Sequence, residues 1–270
     1  MKKNLLALLL CLAALPAFSQ LYIRANVGYN LPLSGESMGS EYKYDYQNND
    51  NGRYKGVYGS YGTGLSADLA FGGMFGNGLF GYDLGFSYLV GKEYSVEKNE
   101  SIDPYGTSLR ETTRQARSIQ FSPALTFIGG TGKFQPVARF GPVFSQTKID
   151  EEYNDSYANS YTFLEKSEYS GGLGIGLRGS VGVTYGLSES VKLFTELNFL
   201  AMSYAPKERE ITTYEVNGEN RIEDIPKEDR TIELDEEGES QGEGGEPPLK
   251  RPFAMNSWGL QVGVLFFLKK

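Results

Sequence analysis

The stretch Gly171–Val183, GGLGIGLRGSVGV, admits two readings, and the choice between them decides the fold. As a loop, Gly174-x-Gly176-x-x-Gly179 has the spacing of a turn that cradles a dinucleotide or phosphate. Such a turn needs a strand before it and a helix after it. Here Val181, Val183 and Tyr185 keep the parity of Leu173, Ile175 and Leu177, so the alternation runs on as one strand with two unlike faces. Gly174 and Gly176 share a face with Arg178, and Gly179 falls on the other, whereas a phosphate loop would use all three in one turn. The glycines are then expected to leave room for long side chains such as Arg178 in a crowded interior.

The same period of two recurs along the chain. In QLYIRANVGYNL (20–31), Leu21, Ile23, Ala25, Val27, Tyr29 and Leu31 oppose Gln20, Tyr22, Arg24, Asn26, Gly28 and Asn30. Residues 64–75 set Leu65, Ala67, Leu69, Phe71 and Phe75 against Ser66, Asp68, Ala70 and Gly72. After the turn Gly76-Asn77-Gly78, Phe80, Tyr82, Leu84, Phe86, Tyr88 and Val90 oppose Gly81, Asp83, Gly85 and Ser87. Further alternating segments lie near 117–128, 134–147 and 193–201 and at the C-terminus, where Trp258, Leu260, Val262, Val264, Phe266 and Leu268 share a face. The 34 Gly, 19 Tyr and 16 Phe fit pleated surfaces better than helices.

Eight strands result, and their connections alternate. Residues 32–63, 91–116, 148–170 and 204–253 are read as long loops, and 76–78, 129–133 and 187–190 as short turns. This layout predicts an all-β fold: an eight-stranded antiparallel up-and-down transmembrane β-barrel with short periplasmic turns and long extracellular loops. Ahead of it, Lys2 and Lys3 precede an apolar run from Leu5 to Leu15, then Pro16 and Ala17-Phe18-Ser19. This predicts a signal peptide at 1–19 and a barrel domain at 20–270, with export to the cell outer membrane. The one cysteine, Cys11, would leave with the leader.

Polarity separates a barrel from a soluble sandwich. In a membrane barrel the apolar face turns to lipid, and small and polar residues turn inward. The polar faces carry Arg24, Asp68, Asp83, Arg139, Arg178 and Glu196, three bases and three acids on separate strands, which are expected to pair as a lumen network. Aromatics on the apolar faces gather toward strand ends. Tyr29, Tyr88, Phe144 and Trp258 lie on the long-loop side, and Phe75, Phe80, Phe127, Phe134, Tyr185 and Phe266 on the short-turn side, as two interfacial girdles would require.

On this strand–turn pattern, and on the aromatic-rich last strand WGLQVGVLFFLKK, the chain resembles the small eight-stranded outer-membrane β-barrels of Gram-negative bacteria, the OmpA/OmpX-like and porin-like families, in a Bacteroidetes-type version. It departs from their usual terminal Phe: Leu268-Lys269-Lys270 follow Phe267. The resemblance implies recognition of the last strand by the barrel assembly machinery, and contact with outer-membrane lipid. It also implies that the enzymes among such barrels depend on a catalytic histidine.

The chain has no histidine. A Ser–His or Asp–His arrangement is therefore excluded, and without mature cysteine the usual zinc and transition-metal sites are excluded too. No catalytic, cofactor-binding or metal-binding residue is predicted, and the carboxylates are read as partners of arginine. Loop 32–63 is rich in Tyr, Asn and Gly, which suits either recognition of an extracellular ligand or a solvated loop. From Ala205 to Pro252 there are 15 Asp and Glu against 7 Lys and Arg, so this segment is expected to be disordered and to repel nucleic acid. The expectation is a monomeric, non-enzymatic outer-membrane protein with a structural, envelope-integrity or surface-interaction role. The alternative is a narrow porin-like channel or small-solute transporter.

Overall fold

The computed structural model describes residues 18–33, 35–45, 50–76, 78–103, 106–158, 160–234 and 251–268. The expected leader with Cys11 lies outside the described residues, apart from Phe18 and Ser19, as does the stretch 235–250. The described chain is nearly all β. In chain order the strands are β1 (Phe18–Pro32), β2 (Glu36–Asp45), β3 (Asp50–Gly59), β4 (Gly64–Phe75), β5 (Phe80–Gly91), β6 (Tyr94–Asp103), β7 (Gly106–Ile128) and β8 (Phe134–Tyr157). They continue as β9 (Tyr161–Ser170), β10 (Gly174–Gly186), β11 (Val191–Tyr204), β12 (Glu208–Val216), β13 (Glu219–Asn220), β14 (Thr231–Glu233), β15 (Phe253–Ala254) and β16 (Ser257–Phe267). Two 3₁₀ turns, Ile222–Asp224 and Lys227–Asp229, are the only helical pieces among the described residues.

Eight of these strands carry the alternating segments. Each has two antiparallel neighbours: β1 pairs with β4, β4 with β5, β5 with β7, β7 with β8, β8 with β10, β10 with β11 and β11 with β16. β16 pairs in turn with β1, through Val27↔Val262 and its neighbours, so the circuit of pairings returns to its start. Pairing between β7 and β8 lapses from Ser122 to Ala124 and from Gly141 to Val143. In this register Pro123 faces Pro142, and neither has an N–H to give the ladder.

The four long loops are a correction. They hold strands, and β7 and β8 continue far past their expected ends. The extended hairpin is flanked by β6, β2 and β3 on one side and by β9, β12 and β13 on the other, giving a second, open sheet continuous with the first. One pair in it, β2 with β6, is parallel. The cause is charge and β-propensity at matched positions. Arg114 opposes Glu151, Arg110 opposes Asp155, Lys98 opposes Glu111 and Lys166 opposes Glu152 as cross-strand partners, and each couple forms an ion pair. Residues 205–234, expected to be disordered, hold β12–β14. Asn217-Gly218, at φ 54° and 77°, turns β12 into β13, the dipeptide that a two-residue hairpin favours.

The burial of the eight strands is inverted relative to a soluble sheet. In β1, Ile23, Val27, Tyr29 and Leu31 are exposed, Val27 at 59%, while Tyr22, Arg24, Asn26 and Asn30 are buried. The interior is stacked in three layers. Tyr22, Met74, Ile128, Val137, Phe194, Leu265 and Phe267 close the short-turn end. Tyr61, Leu89, Val143, Ile149, Leu200, Met202, Tyr204 and Met255 fill the opposite end, with Met38, Tyr169 and Phe253 packed on them. The charges lie between.

Candidate functional site

The six charged residues singled out from the sequence all point inward and meet in the middle layer. Arg24 donates from Nε and Nη2 to the two oxygens of Asp83, at 3.0 Å each. Arg139 pairs with Glu196 through Nη1 and lies with Nε 3.4 Å from Asp83, so Arg24 and Arg139 share the Asp83 carboxylate. Arg178 reaches Asp68 at 2.8 Å. Asp83 and Glu196 are 1% exposed, so these charges rely on one another rather than on water.

Neutral groups tie the pairs together. The Tyr22 hydroxyl donates to Asp83 (3.2 Å), the Ser180 hydroxyl to Glu196 (2.6 Å), and Arg178 donates to Ser87 (3.0 Å) and Asn198 (3.2 Å). Asn198 donates onward to Asn30 at 2.9 Å. Asn26, with its amide oriented to suit both neighbours, donates to Asp68 and accepts from Arg24. The guanidinium groups of Arg24 and Arg139 both stack over the Phe194 ring, at 6.0 and 5.5 Å from its centroid. Sequence reasoning placed these polar residues on the inward face without joining them to the network. Their shared parity with the charges was the available signal.

The glycines make this density possible, though not chiefly for Arg178. A Cβ on Gly182 would clash first with the Thr195 carbonyl oxygen and then lie 2.7 Å from Cα and Cγ of Glu196, and one on Gly176 would clash with the Ala201 carbonyl oxygen and lie 2.7 Å from Cα and Cβ of Met202. On the outward Gly179 it would meet the Phe140 ring at 3.5 Å and the Arg139 carbonyl oxygen at 3.7 Å, both ordinary contacts. Within the charged layer a cavity of about 20 Å³ remains, lined by Arg24, Asp83, Arg139, Arg178, Glu196 and Gln261 among others. That is room for a water molecule and little more.

The aromatic residues expected to form girdles lie on the outward face. Tyr29, Tyr88, Phe75, Phe80, Phe127, Phe134, Trp258 and Phe266 are exposed, and Phe144 and Tyr185 are half-buried. Phe80 packs on Phe127 (5.4 Å between centroids) and Phe134 on Tyr185 (4.9 Å). The two bands are less sharply separated than expected. Phe71, Phe86 and Phe140 are also exposed, and Phe86 meets Phe121 at 5.0 Å partway along the strands.

The open sheet carries a second cluster, which the sequence reading did not find. Glu151 accepts from Arg114 at 2.6 Å and from Arg209 at 3.3 Å, and Arg209 also reaches Glu165 at 2.5 Å. Arg114 lies over Tyr169 and Phe253, with 6.0 and 5.8 Å to the centroids. Burial, reinforced by Glu151, pushes the Tyr169 phenol above the ordinary tyrosine range. Cavities of about 420 and 270 Å³ adjoin the cluster and share Met38 and Arg114 as a wall. Tyr153, Phe163 and Val96 give one of them an apolar side. This is chemistry for holding a ligand by stacking and hydrogen bonds.

Among the described residues there is no group of three or more Asp, Glu, Cys or His placed to hold a metal ion. No protein-family model and no curated protein matches the sequence.

Proposed function

We propose that the protein is an integral outer-membrane β-barrel of eight strands, without enzymatic activity, whose sealed barrel holds a β-sheet head outside the cell for structural or recognition contacts. The observation that carries this reading is the inverted burial, with apolar side chains outside and paired charges within. From Leu21 to Leu31 the outward face of β1 is apolar over ten steps of about 3.4 Å. At a tilt of about 40° that run covers about 25 Å of membrane normal, the usual height of the lipid-facing band. The three-layer interior favours a sealed barrel over the porin-like alternative, because apolar layers cap the charged layer at both ends. The proposal extends to export by a cleaved leader, insertion through the assembly machinery with the last strand as its signal, and a monomeric state. Within it the head, with its Arg114–Glu151–Arg209 cluster, is the surface offered to an extracellular ligand.

Orientation is the test. Glu219 lies in the head, exposed, and Glu189 lies in the turn between β10 and β11 at the opposite end. In intact cells an impermeant thiol reagent is expected to label the Glu219→Cys protein and to spare Glu189→Cys until the envelope is opened. Labelling of both, or of neither, in intact cells would overturn the proposed placement.

A further inference from the structure

β8 changes neighbours partway along its length. It pairs with β10 as far as Ser145↔Gly174, and with β9 from Ile149↔Tyr169 onward. Between these points Gln146, Thr147 and Lys148 face the connector Ser170–Leu173 without a register. The connector bends away through Gly171 and Gly172, whose φ values of 74° and 67° are left-handed and suit glycine. It is held in that position: the Ser170 carbonyl accepts from the Lys207 amide (2.9 Å), and the Gly171 carbonyl accepts from the Tyr204 hydroxyl (2.8 Å). The notch left in the wall is a cleft of about 450 Å³, within the size range of small-ligand sites.

The lining of this cleft changes character over one repeat of the strands. Tyr88 and Ile119, partners across β5 and β7, give it an outward apolar side at the edge of the band assigned to lipid. Two residues further along, about 7 Å, the outward positions of β7 and β8 are Arg117 and Lys148, themselves cross-strand partners. Neither cation is spent. Arg117 gives Nε and Nη2 to Asp150 (2.8 and 2.6 Å), and Lys148 gives one of its three N–H groups to Glu168 (2.6 Å). These carboxylates hold the cations over the cleft while further donors stay open to solvent. Counting both carboxylates, the two cations are balanced by Asp150 and Glu168, and what the cleft offers is their remaining N–H donors, on side chains 46% and 59% exposed.

We propose that this cleft binds a phosphate-bearing membrane lipid, with the phosphate on Arg117 and Lys148 and an acyl chain along Tyr88 and Ile119. The charged N–H donors set directly on an apolar wall match an amphiphile with one phosphate at the boundary between its head and tail. The inference rests on the outer-membrane reading, since only then does the apolar side face acyl chains.

The test uses the full-length barrel, purified and delipidated in detergent, and native mass spectrometry to count bound molecules. The probes are phosphatidylglycerol and phosphatidylethanolamine, diacylglycerol with the same chains, and inorganic phosphate. One phospholipid is expected to be retained in preference to diacylglycerol. The Arg117→Gln/Lys148→Gln double variant is expected to lose at least about tenfold in affinity, about 1.4 kcal/mol. Lys43→Gln, at an exposed ion pair between β2 and β6 in the head, should leave retention unchanged. Equal retention of diacylglycerol, displacement by inorganic phosphate, or an unaffected double variant would overturn the proposal. A heat-dependent shift in gel mobility of outer-membrane fractions reports separately on the barrel. If the shift is present and no phospholipid is retained, the cleft assignment alone fails. If the shift is absent, the outer-membrane reading fails.

Discussion

Asp83 is the carboxylate on which most of the interior depends, so Asp83→Ala is the sharpest single perturbation. It accepts two bonds from Arg24 at 3.0 Å and one from the Tyr22 hydroxyl at 3.2 Å, and it lies 3.4 Å from Arg139. The alanine variant would strand Arg24 without its principal partner, in a side chain only 7% exposed. Removing one partner of a buried ion pair costs about 3–5 kcal/mol, because the remaining charge has neither water nor a counter-ion. At a denaturant dependence of about 2 kcal/mol per molar urea, that is a fall of about 2 M in the unfolding midpoint. The assay is urea unfolding of the folded protein in lipid vesicles, followed by Trp258 fluorescence. The Lys55–Glu41 pair supplies the control. It has the same 3.0 Å length, but Lys55 is 74% exposed, and Lys55→Ala should cost about 0.5 kcal/mol or less. A second arm combines Arg24→Met with Asp83→Leu, and this double variant should lose less than the sum of the two single changes. The reasoning is refuted if Asp83→Ala moves the midpoint no further than Lys55→Ala does.

Gly182→Val should destabilise the protein by about 2 kcal/mol or more through overpacking against the Thr195 carbonyl and Glu196, while Gly179→Ala, pointing outward, should stay within about 1 kcal/mol of the parent in the same unfolding assay. In planar bilayers the purified protein should give no stable conductance steps, because apolar layers cap a charged layer whose cavity holds about 20 Å³; reproducible steps would restore the channel alternative. Tyr169 gives the head a dependence on alkali. Its folded pKa is raised, first by burial and then by Glu151, so the stability it contributes is intact below the ordinary value of about 10 and is lost as pH rises from there toward the raised value. Near-ultraviolet circular dichroism should show the head loosening in that window, and less so in Tyr169→Phe.

The eight alternating strands were legible because a period of two carries its own evidence. Every other residue from Leu21 to Leu31 is apolar or Tyr, and the same parity then places Arg24 inside. The six interior charges could be chosen from parity alone, since a charge opposite an apolar face has one place to go in either fold. Which acid would meet which base was not legible. Pairing depends on neighbours around a closed circuit, and Arg24 meets Asp83 two strands away, across β4, rather than a residue of its own hairpin. The head was missed because its strands lack a continuous apolar face. Arg110, Arg114, Glu151 and Asp155 look like a solvated run until β7 is laid against β8, when each base faces an acid. Asn217-Gly218 was the plainest missed signal, a hairpin dipeptide inside a segment read as disordered from its charge. Of the glycines of 171–183, Gly176 and Gly182 do make space, but for the backbone of the neighbouring strand and for Met202 and Glu196 rather than for Arg178, while Gly171 and Gly172, read as part of the strand, bend the chain at positive φ before it begins.

The central claim is that the apolar outer face of the eight strands lies in lipid, and Trp258 tests it most directly. It is the only tryptophan in the chain, it projects from β16 opposite Leu31 and Phe199, and it sits at the end of the apolar band nearer the head. The protein is refolded into vesicles whose lipids carry bromine at a shallow, a middle or a deep position of the acyl chain. The expected result is blue-shifted Trp258 emission, quenched most strongly by the shallow label and least by the deep one. Water-like emission that no brominated lipid quenches would contradict the account.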